Sequence, residues 1–170
     1  MIRFWIYHLG CGKLFRKYKA YLIYLDLDGW RTNGGTVPPE LALTSQVPDL
    51  VLVDKSKTPS QVVLLELTCP FDTATLIKAA LDRKELRYRR LTAELRDAGY
   101  NAINLPLEIG SRGVINARNH GVLATLAQLV NIKDLKNFRR TLGKISLLGS
   151  YRIWLARRSQ EWAPGGLIQP

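Results

Sequence analysis

The sequence predicts an α/β domain of the mixed, α+β kind, with a central sheet flanked by helices and more helices at the C-terminal end. Three observations point there. Residues 49–54 (DLVLVD) and 62–68 (VVLLELT) are rich in β-branched residues and apolar on both faces except for their acids, which suits central strands of a covered sheet. Residues 73–98 place apolar side chains at spacings of three and four and stop at Gly99, the pattern of an amphipathic helix. The chain has 170 residues, 46% hydrophobic and 23% charged, which supports one domain with a real core and argues against wholesale disorder.

The elements follow in order. The basic N-terminal stretch reads as a first helix, with Phe4, Leu9, Leu14 and Phe15 on its apolar side. Residues 21–27 (YLIYLDL) favour a strand that ends at the Asp28-Gly29 turn, and 29–39 (GWRTNGGTVPP) a loop broken by paired glycines and prolines. The strands 49–54 and 62–68 are joined by the polar loop KSKTPSQ. Asp72 or Thr73 caps the long helix, whose inward stripe is Ile77, Leu81, Lys84, Tyr88, Leu91, Leu95 and Ala98. Residues 101–109 form a further strand, the Gly110-Ser-Arg-Gly113 turn breaks it, and helices are expected near 119–131 and 133–157. The whole chain, 1–170, reads as a single domain: a core over about 11–131, a helical extension over 132–158 and a loose tail over 159–170.

Charge is the anomaly of composition. Lys and Arg number 25 against 14 Asp and Glu, a net charge of +11, which suggests a polyanionic partner. The two cysteines, Cys11 and Cys69, are too few for a disulfide scaffold and lack metal-type spacing, so an intracellular protein is expected. No apolar run approaches the roughly 20 residues that span a bilayer. The sequence holds no phosphate loop, no zinc spacing and no nucleophile elbow. His8 and His120 lack partner arrays and read as structural. Trp30, Trp154 and Trp162 have the chemistry to stack on bases, although core or rim packing is the preferred expectation.

Two features carry chemistry. If the hairpin turn centres between Lys57 and Thr58, Asp49 lies across from Glu66, and Thr68 shares their face. Two carboxylates in apolar strands repel, and a hard divalent cation removes the penalty, Mg²⁺ or Mn²⁺ rather than zinc. The plainer alternative makes Asp49 a strand-starting turn residue and gives Glu66 a salt bridge. The second feature is Lys84 within the apolar stripe, which needs an anionic partner or must snorkel. If the helix covers the face of Asp49 and Glu66, Lys84 and Tyr88 point at them together. The other side of this helix carries Arg83, Arg87, Arg89, Arg90 and Arg96, a surface suited to phosphate backbones or, in the plainer view, to solvent.

Pro48-Asp49, the 16-residue gap to Glu66-Leu67-Thr68 and the following helix with Lys84 and Tyr88 resemble the PD-(D/E)XK nuclease superfamily. More narrowly, GGTVPPE (34–40), PDLVLVD (48–54), LLELTCPFD (64–72), RKELRYRRL (83–91) and LEIGSRGVINARN (107–119) resemble a restriction-endonuclease-like domain found with eukaryotic retrotransposon and reverse-transcriptase open reading frames. The resemblance spans about residues 21–157. It implies an αβββαβ core and a Mg²⁺- or Mn²⁺-dependent endonuclease that hydrolyses DNA phosphodiester bonds. Asp49 and Glu66 would be the metal ligands. The superfamily's lysine belongs two residues after the glutamate, where Thr68 stands; members move it to the neighbouring helix, which gives the role to Lys84. Tyr88 would position substrate, Glu40 would add a further acid, and Arg83, Arg87, Arg90 and Arg112 would contact nucleic acid. DNA is the expected partner, with a homodimer and a larger mobile-element polyprotein as further expectations, in the nucleus. The alternatives are an inactive nucleic-acid-binding module on the same fold and a small organellar RNA-binding protein with mitochondrial import of the basic N-terminus.

Overall fold

The computed structural model describes residues 21–25, 37–71, 73–129 and 132–156. The expected N-terminal helix, most of the 29–39 loop, the Asp72 cap and the C-terminal tail lie outside them. Four strands make one mixed sheet in the order β1-β2-β3-β4: β1 (Tyr21–Leu25), β2 (Leu50–Asp54), β3 (Gln61–Thr68) and β4 (Asn101–Glu108). The first three are antiparallel neighbours, while β3 and β4 run parallel. Parallel pairing demands a crossover, and α1 (Ala74–Asp97) supplies it. Two more helices, α2 (Asn119–Leu129) and α3 (Leu135–Ala156), follow β4. The result is an α+β arrangement close to the expected element order.

The two sheet faces are covered from opposite sides. Val51, Val53, Val62, Leu64 and Ala102 pack beneath Tyr88, Leu91 and Leu95 of α1. Leu50, Leu52, Val63, Leu65 and Leu107 meet Leu123, Phe138, Leu142 and Ile145 of α2 and α3. All five residues of β2 and the first six of β3 are buried, which is why both read as continuous apolar runs. A valine or leucine so buried contributes about 1.5–3 kcal/mol.

The ends of α1 follow from local chemistry. The Thr73 hydroxyl accepts from the Leu76 N–H as N-cap. Gly99 adopts φ +91°, the left-handed geometry that ends a helix cheaply only at glycine. Ala98, expected on the inward stripe, is instead the exposed C-cap, one residue past the end of the helix. Among the described residues no helix is long and apolar enough to cross a membrane.

Candidate functional site

The hairpin register decides the site. Leu50 stands opposite Leu65, Val51 opposite Leu64 and Asp54 opposite Gln61, so one further step brings Asp49 against Glu66, as symmetry of the hairpin predicts. Both acids are buried, 7% and 3% exposed, on the face that α1 covers. Each is held by the other's strand. The Leu67 N–H donates to Asp49 Oδ2 at 2.7 Å, and the Asp49 N–H donates to Glu66 Oε2 at 3.2 Å. Backbone donors thus offset part of the cost of placing two carboxylates side by side.

Helix α1 delivers three side chains to this pair. Lys84 forms an ion pair with Glu66 Oε1, and its side chain is only 15% exposed. Its place in an apolar stripe is therefore answered by a buried partner, not by snorkelling. Arg87 reaches to 3.9 Å of the same oxygen and lies over the Tyr88 ring, 5.8 Å from its centroid. Tyr88 is fully buried, and its hydroxyl donates to the Val47 carbonyl at 3.0 Å. Burial first, and the Glu66 charge second, hold that hydroxyl well above the usual tyrosine range, so it stays protonated. Gln46 Nε2 donates to the Arg87 carbonyl at 2.6 Å. The segment leading into Asp49 is therefore tied to α1 at Gln46 and again at Val47.

The remaining expected residues divide. Thr68 is half-buried on the Glu66 face, paired with Glu108 of β4. Glu40 is not brought to the acidic pair. It is exposed and sits by Tyr24 of β1, whose hydroxyl pKa is raised by burial and by the Glu40 charge. Arg83, Arg87 and Arg90 all lie on the exposed side of α1, Arg90 bridged to Glu94 at 2.7 Å. Arg96 differs from the rest of that basic face, since its Nε donates to the Ala102 carbonyl at 2.9 Å and ties the helix to β4. Arg112 is exposed in the turn after β4, away from α1 in sequence but anchored through Ser111, whose N–H donates to the Pro70 carbonyl at 2.9 Å. His120 is exposed on α2, so the expectation of a structural role finds no buried setting. Trp154 is also exposed, at 55%, and so lies outside the core, because α3 turns Phe138, Leu142 and Ile145 inward. Trp30 and Trp162 lie outside the described residues.

One acid escaped the sequence reading. Glu108 is 3% exposed, and its Oε1 has no hydrogen-bond partner. Parallel pairing with Thr68 sets it on the Glu66 face, toward the same end of the sheet. Burial raises its carboxyl pKa to about 7, against smaller lowering effects from Asn119 and Arg118. Its signal, an acid inside an apolar strand, is the same as that of Glu66. Among the described residues no group of three or more histidine, cysteine or acidic side chains stands close enough to hold a metal ion, so the site offers a pair of carboxylates.

A scan against protein-family models, a search of curated proteins and a search of solved structures each found no match. The chemistry must be read from the residues themselves. A pair of hard oxygen ligands fits Mg²⁺, which keeps several waters and takes the rest of its shell from one or two carboxylates and from substrate phosphates. The lysine and arginine beside the pair fit a phosphate.

Proposed function

We propose that the chain is a Mg²⁺- or Mn²⁺-dependent endonuclease-like domain that hydrolyses DNA phosphodiester bonds, with a restriction-endonuclease-like αβββαβ core and an origin in a mobile element. The observation that carries this reading is the convergence of Lys84 on Glu66 beside Asp49, both acids buried under α1.

On this reading Asp49 and Glu66 hold the cation. A divalent cation held there would supply Lewis acidity toward a phosphoryl oxygen and toward the attacking water. Lys84 would share its ammonium between Glu66 and the negative charge on the phosphoryl oxygens in the transition state. Arg87, 59% exposed and already near Glu66, is placed to grip a neighbouring phosphate. Tyr88, locked in its protonated form, keeps the 47–49 segment at a fixed distance from α1. Arg83, Arg90 and Arg112 supply further phosphate contacts, which position substrate without reading its sequence. The nucleus is the compartment this activity implies.

The test is nicking of supercoiled plasmid with Mg²⁺, with Mn²⁺ and with EDTA. Asp49→Asn, Glu66→Gln and Lys84→Ala should each lower the rate by about 10²-fold or more, with folding checked by circular dichroism. Undiminished cleavage in Asp49→Asn and Glu66→Gln would sink the assignment. A second reading has its own support: the ion pair with Lys84 satisfies Glu66 without any cation, and Thr68 stands where the superfamily places its lysine. A non-catalytic nucleic-acid-binding module on the same fold would bind DNA with strong salt dependence and show neither cutting nor a Mg²⁺-induced rise in melting temperature.

A further inference from the structure

Helix α3 carries Lys136, Arg139, Arg140, Lys144 and Arg152, and not one acid in its 22 residues. Its inner side is fixed by Phe138, Leu142, Ile145 and Ser146, which are buried. The opposite side is exposed, and beyond Ser146 exposure extends around the helix to Leu148, Ile153 and Leu155. Lys136, Arg140 and Lys144 follow one another at intervals of four, about 6 Å apart along the axis. The stripe then continues through Leu147, Tyr151 and Trp154 at spacings of three and four. Tyr151 and Trp154 are 53% and 55% exposed, and their rings stack with centroids 6.0 Å apart and planes 14° from parallel. Trp154 is thus not the core residue that one half of the expectation made it.

We infer that this stripe of α3 binds single-stranded nucleic acid, with the three cations along its phosphates and the Tyr151–Trp154 pair as a stacking platform for its bases. Charge chooses the partner class, since an acid-free row of cations attracts a polyanion. The exposed rings choose the strand state: an unpaired base has a free π-face, whereas bases within a duplex are already stacked on one another. A helix lying on a membrane has its cations on the side opposite its apolar side. In α3 the side opposite the cations is buried by Phe138, Leu142, Ile145 and Ser146, and the rings follow on the cations' own side of the next turns, where residues 151–155 are all exposed. Pairing two copies through this stripe would desolvate the cations of both with no acid on either helix to receive them. The inference does not rest on the nuclease reading.

The experiment is fluorescence anisotropy of labelled oligo(dT) and oligo(U) with the full chain in EDTA, across a salt series. Trp154→Ala should weaken binding by about 5- to 150-fold, the range for loss of one stacked base, while Trp154→Phe retains most of the affinity. Lys144→Gln should reduce the slope of log K against log salt by about 0.7, the value for one phosphate contact on a single strand. Tighter binding of oligo(U) than of oligo(dT) would identify RNA as the source of the strand, the reverse order DNA. Unchanged affinity in the double variant Tyr151→Ala/Trp154→Ala overturns the inference. It is equally overturned if those substitutions abolish a dimer seen by sedimentation, or binding to phosphatidylserine vesicles, while oligonucleotide affinity stays the same. Asp49→Asn separates the two claims: it should abolish nicking and leave this binding untouched.

Discussion

Glu108 provides the sharpest quantitative test of the structure. Its carboxyl is 3% exposed, has one oxygen without a partner, and is raised from an ordinary 4.5 to about 7 by burial. The groups that act on it are Asn119 and Arg118, which favour the charged form, and Glu85, which opposes it. Between these two pH values the folded protein holds a proton that the unfolded chain has released. Stability contributed by the protonated form is therefore fully present below about pH 4.5 and is lost as pH rises through about 7. At about 1.4 kcal/mol per pH unit, that interval amounts to roughly 3 kcal/mol. Glu108→Gln keeps the volume and removes the titration. Urea unfolding of both proteins at a series of pH values should show the variant gaining on the native chain as pH rises, with the difference levelling above about pH 7. The native chain carries other titrating groups, but they cancel in this difference. A difference that stays flat, or that shrinks with rising pH, would show that the carboxylate is charged and satisfied, and the buried placement of β4 against α1 would be wrong.

Three other substitutions probe the site and its supports. Lys84→Met leaves Glu66 buried with its main cationic partner gone and should cost about 3–5 kcal/mol in chemical denaturation, whereas adding Glu66→Gln should recover most of that loss; additive costs would mean that the pair does not interact. Tyr88→Phe removes the hydroxyl that holds the Val47 carbonyl, for about 0.5–1.5 kcal/mol of stability, and should lower plasmid nicking more than DNA affinity, which gel shift and a nicking assay on the same preparation compare. Gly113→Ala puts a Cβ 2.5 Å from the Gly143 carbonyl oxygen at a backbone φ of +84°, so the GSRG turn should separate from α3 with a loss of about 1–3 kcal/mol; an unchanged melting temperature would refute the close approach.

The sequence revealed the site where local rules govern position. A hairpin with a short polar loop has little freedom of register, and alternation along the strands then places Asp49 and Glu66 on one face. Helical periodicity put Lys84 and Tyr88 on the inner stripe in the same way, because three- and four-residue spacings survive any tertiary arrangement. What stayed hidden depends on non-local packing. Glu108 joins the face of Glu66 only once β4 is known to run parallel beside β3, a pairing made across the whole of α1. Glu40 follows a long loop, and no periodicity tells whether that loop returns to the acids or, as observed, to Tyr24. The side of α3 that turns inward was ambiguous for a related reason. Its aromatic and aliphatic residues occur on both sides, and only the position of the sheet selects Phe138, Leu142 and Ile145 over Tyr151 and Trp154.

These placements explain how so basic a chain can keep an acidic centre. The Asp49 and Glu66 carboxylates are held by backbone N–H groups from each other's strand and by Lys84, so their charge is met inside the fold. The large excess of cations is spent elsewhere, on the exposed side of α1 and on α3. Arg87 is the joint between these two populations: one nitrogen approaches Glu66 at 3.9 Å while the side chain remains 59% exposed. A polyanion approaching the acids from this side would meet Arg87 and Lys84 first, which offsets part of the repulsion between phosphate and carboxylate. The exposed basic side of α1 and the acidic centre thus meet at two residues of one helix, Lys84 and Arg87, brought to the same Glu66 oxygen by their three-residue spacing.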